Sequence, residues 1–206
     1  MMNVLILVDI QNDFIPGGSL PVPLGNEVIK LVNELQDSFE LVVATQDWHP
    51  NNHKSFATQH PGKKQFETIS LHGLDQVLWP DHCVQGTKGA EFHGDLNMNK
   101  VEAVFRKGMN PDIDSYSGFY DNGYKKSTGL AGYLRDRGTK KVYVCGLAAD
   151  YCVAFTAKDA LKENFETYVI EDATRAIDAI GYSRIKDKII TSGGQYIQSH
   201  MLHRHL

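Results

Sequence analysis

The chain has 206 residues, 42% hydrophobic and 22% charged, which places it among globular proteins and outside disordered or collagen-like chains. That length suits one domain able to bury roughly 70% of its unfolded surface. Lys and Arg total 21 against 25 Asp and Glu, a net charge of -4 with no basic run, which argues against a nucleic-acid partner. Three cysteines are too few for a disulfide framework, and no basic segment leads into a long apolar run. A cytoplasmic chain with reduced thiols, no signal peptide and no membrane partner is predicted.

In chain order, residues 4–8 form a continuous aliphatic run, the pattern of a strand buried on both faces of a parallel sheet. Similar runs at 41–44, 101–105, 142–145 and 168–170 are separated by enough chain for crossover helices. The first helix is predicted over 27–35, with Val28, Ile29, Leu31, Val32 and Leu35 on one face. A second, over 127–137, is ended by Gly138 in a left-handed conformation. The third is predicted over 152–162, with Asp150 near its start and Asn164 as its stop; the fourth, over 183–191, closes on Gly193 and Gly194. The rhythm is α/β, with one domain over residues 1–206. His200, His203 and His205 in the tail receive no role.

Two stretches break that rhythm, 46–100 and 108–122, both rich in turn-forming and polar residues. Long connections in compact domains are often functional, so the chemistry is predicted there and at the strand ends that face them. In open parallel sheets, ligands gather beyond the carboxyl ends of the strands. Asp9 follows the first run, Asp47 and His49 the second, Lys107 the third, and the turn leading to Cys152 the fourth.

Singly, each residue has an ordinary reading: a turn-forming Asp, a surface Lys, a small packed Cys. Their joint placement argues for a site. A thiol at a helix N-terminus is favoured as thiolate by the dipole, and a nearby Lys107 ammonium lowers its pKa further from about 8.5. The N–H groups there suit an oxyanion. Asp9 can take the thiol proton and return it to a leaving amine, with Lys107 balancing the carboxylate.

Asp47, His49 and His82 offer one carboxylate and two imidazoles, a set that suits Zn, Fe or Mn and leaves positions open for water and substrate. The alternative for these three is an ordinary polar loop. His53 is four residues from His49, but Pro50 argues against a helix carrying both, so it is a weaker candidate. His60, His72 and His93 are read as surface or supporting residues. Cys145 is read as strand core, and Cys83 as a neighbour of a ligand.

The segments Val8-Asp9-Ile10-Gln11-Asn12-Asp13-Phe14, Thr45-Gln46-Asp47-Trp48-His49-Pro50 and Trp79-Pro80-Asp81-His82-Cys83-Val84-Gln85-Gly86-Thr87 resemble the nicotinamidases, of the isochorismatase-like cysteine hydrolases. Arg106-Lys107-Gly108, Tyr116-Ser117-Gly118-Phe119 and residues 146–153 continue the pattern in the same order, over nearly the whole chain. The resemblance implies a three-layer α/β/α fold with a mainly parallel central sheet, isochorismatase-like and Rossmann-like. It implies an Asp-Lys-Cys triad at Asp9, Lys107 and Cys152, and metal ligands at Asp47, His49 and His82. An oxyanion hole from the N–H groups of Ala148 and Cys152, a cis peptide at Leu147-Ala148, and pocket aromatics at Phe14, Trp79 and Tyr116 follow from it too. The activity implied is hydrolysis of nicotinamide to nicotinate and ammonia through a cysteine thioester, in NAD salvage. Pyrazinamide is a further expected substrate, and one divalent metal is implied, zinc first, with iron or manganese as alternatives.

Three other readings are weighed against this one. A different isochorismatase-like amidohydrolase would keep the fold but not the aromatic and metal pocket. A nucleotide-binding α/β domain lacks support, since no Gly-x-Gly-x-x-Gly turn or Walker-type loop is present. A metal-only hydrolase would leave Cys152 structural. Homo-oligomerisation is left open by the sequence.

Overall fold

The computed structural model describes residues 2–206. In chain order the elements are β1 (Met2–Val8), α1 (Val28–Leu35), β2 (Leu41–Asp47), β3 (Thr68–Leu71), β4 (Leu74–Val77), β5 (Val101–Lys107), α2 (Leu130–Asp136), β6 (Thr139–Leu147), α3 (Ala154–Lys162), β7 (Glu166–Arg175), α4 (Ala179–Thr191) and β8 (Gln195–Ile197). Six strands form one sheet in the order β5-β2-β1-β6-β7-β8, and every adjacent pair is parallel. Strands β3 and β4 form a separate antiparallel hairpin.

The aliphatic run of β1 is central because both faces of the sheet are covered. Leu5 and Leu7 point into one core with Val28 and Val32 of α1, Tyr143 and Tyr168. Val4, Ile6 and Val8 point into the other, with Leu130 and Leu134 of α2, Ala154, Ala157 and Ala160 of α3, and Ile189 of α4. Helix, sheet and helix thus make three layers. The small alanines on α3 let that helix lie close to the sheet, which brings the turn before it to the strand ends. Val4 of β1 pairs with Leu41 on one side and Val142 on the other, so β1, β2 and β6 end side by side. Among the described residues, no helix is long and apolar enough to cross a membrane.

Several local expectations shift. Strand β5 lies at the sheet edge, so its exposure alternates along the strand and it is not buried on both faces. Helix α2 starts at Leu130, after Gly129, and not at 127. The backbone turns at Gly138 with φ +69° and at Asn164 with φ +63°, which end α2 and α3. Helix α3 begins at Ala154, preceded by a π-helical turn over Ala149–Val153. Asp150 does not cap that helix: its carboxylate accepts the N–H groups of Ile177 at 3.0 Å and Asp178 at 2.8 Å. Helix α4 begins four residues earlier than predicted, capped by Asp178, whose side chain accepts from the N–H groups of Ile180 and Gly181.

Candidate active site

The carboxyl ends of β1, β2, β5 and β6 converge, and with them Asp9, Asp47, Lys107 and the turn that carries Cys152. Lys107 is 2% exposed and sits at the centre. Its ammonium lies 2.8 Å from Asp9 Oδ2, 2.9 Å from Asp47 Oδ1, 3.0 Å from the Ser115 carbonyl and 3.4 Å from Cys152 Sγ. A lysine would not bury its charge without such partners. Burial works against that charge, but Asp47 and Asp9 hold the Lys107 pKa well above the lysine range.

Asp9 adopts φ +47° at the end of β1, a left-handed turn that directs its carboxylate under Lys107. Oδ1 accepts a 2.6 Å hydrogen bond from Thr45. Oδ2 pairs with Lys107 by proximity but has no hydrogen-bond donor in line, so it retains a lone pair for a proton. Burial raises the Asp9 pKa, against the pull of Lys107, as suits a carboxyl that must pick up and release a proton. The Cys152 thiol, 7% exposed, is pushed well above its usual range by burial; Lys107 pulls it down and the Asp9 and Asp47 charges push it up. The depression expected from Lys107 is therefore present and outweighed in the chain alone.

Asp47 Oδ2 lies 3.0 Å from His49 Nε2 and 3.5 Å from His82 Nε2, and all three residues are buried. His49 Nδ1 is 2.9 Å from the Gly108 carbonyl and His82 Nδ1 2.8 Å from the Pro80 carbonyl. A carbonyl only accepts, so each Nδ1 carries a hydrogen, which leaves each Nε2 as the ring atom able to offer a lone pair to a cation beside the carboxylate. One carboxylate oxygen and two such ring nitrogens converge in a buried space, so the donor set fits a divalent metal. Burial works against charge on both partners, yet Asp47 raises the His49 pKa, while His49 and Lys107 hold Asp47 well below the carboxylate range. Gly108 has φ +67°, and a Cβ there would collide with the His49 ring, so only glycine permits this approach.

Phe14, Trp79, Tyr116, Tyr151 and Ala148 wall a pocket of about 330 Å³, its open mouth included, with Cys152, Asp47 and His82 at its polar end. The Trp79 and Tyr151 rings meet edge to face at 4.8 Å, and Trp79 Nε1 donates to the Tyr116 hydroxyl at 3.3 Å. The Leu147–Ala148 peptide is cis. Ala148 and Cys152 both line the pocket, Ala148 just before the turn over Ala149–Val153 and Cys152 within it.

The remaining predicted residues sort by position. His53 is fully buried beside His49, ring centroids 4.3 Å apart, and burial lowers its pKa to about 4. His60, His72 and His93 lie nearer the surface, at Lys54, Asp112 and Asp95. Cys83, with φ +46°, packs in the core, and Cys145 lies within β6 with its thiol 3.8 Å from the Ile6 carbonyl.

Four contributors carry no individual signal in the sequence. Gln11 holds the Asp47 backbone on both sides, accepting its N–H at 2.8 Å and donating to its carbonyl at 2.8 Å. Asp13 accepts the Cys83 N–H at 2.7 Å, which fixes the loop bearing His82. Asp114 lines the pocket, and Gln76, on β4, donates to it at 3.0 Å. Gln11 and Asp13 lie in the first resembling segment, and Gln76 and Asp114 in the two stretches singled out as functional, 46–100 and 108–122, though nothing within those stretches picked them out.

The isochorismatase domain family matches residues 3–199. A nicotinamidase from Acinetobacter baylyi is 49% identical over 196 residues, 95% of this chain and 92% of that protein. A solved nicotinamidase and pyrazinamidase from Acinetobacter baumanii superposes with a TM-score of 0.95 at 50% identity, covering 97% of each chain. A pyrazinamidase of Pyrococcus horikoshii, solved in complex with zinc, gives a TM-score of 0.79 at 40% identity over 96% of this chain and 99% of that one. The chain belongs to the isochorismatase family of α/β hydrolases.

Proposed function

We propose that the protein is a nicotinamidase, which hydrolyses nicotinamide to nicotinate and ammonia and also deamidates pyrazinamide. The observation that carries this reading is the placement of Lys107 between Asp9, Cys152 and Asp47, which joins a thiol triad to a metal-ligand set beneath an aromatic pocket. The whole of residues 1–206 acts as one domain, with the region 46–100 building the metal loop. The activity is assigned to the cytoplasm, in NAD salvage, without nucleic-acid or membrane partners.

Phe14, Trp79 and Tyr116 hold the flat ring by stacking and apolar contact, and so direct the carboxamide to Cys152. Asp47, His49 and His82 would hold the metal, with zinc favoured by the zinc-bound relative. A divalent ion there supplies a Lewis-acid anchor for the ring nitrogen and positive charge that favours thiolate. Asp9 takes the thiol proton as Cys152 attacks the amide carbon, and the Ala148 and Cys152 N–H groups receive the oxyanion. Asp9 then gives its proton to the departing amine, leaving a thioester. Asp9, ionised again, removes a proton from the water that attacks the thioester carbon; the C–S bond breaks, nicotinate is released, and Asp9 returns that proton to the Cys152 sulfur.

The test is ammonia release from nicotinamide, pyrazinamide and simple aliphatic amides, with and without chelator, for the native chain and Cys152→Ala. Turnover of both aromatic amides that Cys152→Ala abolishes supports the reading. Appreciable turnover by Cys152→Ala would rule out the thiol mechanism, and preference for an aliphatic amide would rule out the substrate.

A further inference from the structure

Two buried clusters have a metal-binding composition: Asp47, His49 and His82, and a second of His49, His53 and Asp114, with one donor atom from each residue within 4.8 Å of the others. Proton placement separates them. His49 and His82 each commit an Nδ1 hydrogen to a backbone carbonyl, so Nε2 is the ring atom each can offer to a cation. His53 is arranged the other way. The Ser55 backbone N–H points at its Nδ1 from 3.2 Å, and the Ser55 hydroxyl lies 2.7 Å from the same atom. A ring nitrogen that accepts an N–H bears no hydrogen, so the hydrogen of the neutral ring is on Nε2.

That Nε2 is buried and has no hydrogen-bond partner in the protein. An N–H cannot ligate a cation, and a buried donor left without an acceptor is costly. Within 4.8 Å of a ring nitrogen of His53 lies an oxygen of the Asp114 carboxylate, 4% exposed, held by the Ser115 N–H at 2.8 Å and the Gln76 amide at 3.0 Å. Each of its oxygens keeps a further lone pair. A separation up to 4.8 Å is within the span of one bridging water.

We propose that His53 and Asp114 are a water-holding pair beside the metal set, Nε2–H donating to the water and the carboxylate accepting one of its hydrogens. They are positioning residues that support the ion through this water, and His53 is not a ligand. The proposal rests on the metal reading of Asp47, His49 and His82.

The test is zinc affinity of the metal-free protein, by competition with a chromophoric chelator and without substrate. Asp47→Ala loses zinc, which checks the metal reading by itself; undiminished binding in that variant would overturn that reading and the proposal with it. His53→Phe and Asp114→Ala weaken zinc about tenfold, the effect of removing an outer partner of a metal site. His53→Gln restores an N–H near Nε2 and recovers most of that loss, and its Co²⁺-loaded form keeps the native d–d absorption bands because no ligand has changed. If both His53 variants lose zinc as Asp47→Ala does, with shifted Co²⁺ bands, His53 is a ligand and the proposal fails. It also fails if His53→Phe and Asp114→Ala bind zinc like the native chain.

Discussion

Lys107 and Asp47 meet at 2.9 Å through Asp47 Oδ1, while Oδ2 of the same carboxylate faces His49 and His82. One side chain therefore belongs to the triad's ion pair and to the metal-ligand set at once. A charge change in either half is felt in the other through an ammonium 3.4 Å from the nucleophile.

Replacing Lys107 with Met leaves the Asp9 and Asp47 carboxylates buried without their shared cation. Removing one member of a buried ion pair costs about 3–5 kcal/mol, so urea unfolding of metal-free Lys107→Met should show a loss of that size. A midpoint like the native one would mean the two carboxylates do not depend on Lys107.

Metal removal should slow the thiol. Burial together with Asp9 and Asp47 holds the Cys152 pKa up, and Lys107 alone pulls it down; a dication added to this set favours the thiolate. Alkylation of Cys152 by iodoacetamide at pH 7 should therefore be slower after exhaustive chelation and recover when zinc is returned. Equal rates in both forms would separate the metal from thiol activation.

Thr45→Val removes the 2.6 Å hydrogen bond that stabilises the Asp9 carboxylate. The sign follows from that loss: the ionised form is less favoured, the pKa of the coupled set rises, and the acid limb of kcat/KM moves to higher pH. A hydrogen bond to a charged group is worth about 1.5–3 kcal/mol, which corresponds to a shift of about 1–2 pH units. A pH profile overlying the native one would remove Asp9 as the group titrating on that limb.

Asp178→Ala strips the N-cap from α4 and should cost about 0.5–2 kcal/mol in thermal or urea unfolding. The Asp178 backbone N–H still reaches Asp150, so metal affinity is expected to stay at its native value. Asp178→Asn, which keeps an accepting oxygen, should restore most of the stability; equal losses in both variants would point to charge as the cause.

The central strands were readable because burial on both faces demands an unbroken aliphatic run, and 4–8, 41–44 and 142–145 all have one. The edge strand over 101–105 carries a similar run, yet its exposure alternates, with Val104 43% exposed, because one side of it has no neighbouring strand. The hairpin β3–β4 and the short β8 bury few residues and leave no comparable pattern. Helix α4 was begun too late because its first turn carries little buried apolar surface; Ile180 there is 65% exposed. Asp9, Asp47, Lys107 and Cys152 were found together because strand ends announce themselves. Gln76 was not, because its role depends on where a hairpin folds back, which local pattern does not encode. The protonation pattern that distinguishes His53 from His49 depends on backbone groups whose direction only the folded chain defines.

The hairpin lies outside the six-stranded sheet, yet it brings Gln76 to Asp114 and Tyr116, at the wall of the pocket. The reacting groups stand on strand ends whose register is locked by the core. The hairpin thus braces Asp114 and Tyr116 from outside the pocket, while Phe14 and Tyr151 line it from the same stretches that carry Asp9 and Cys152. A change in the hairpin reaches the pocket only through Gln76 and the two residues it holds, and leaves the nucleophile and its proton carrier in their original frame.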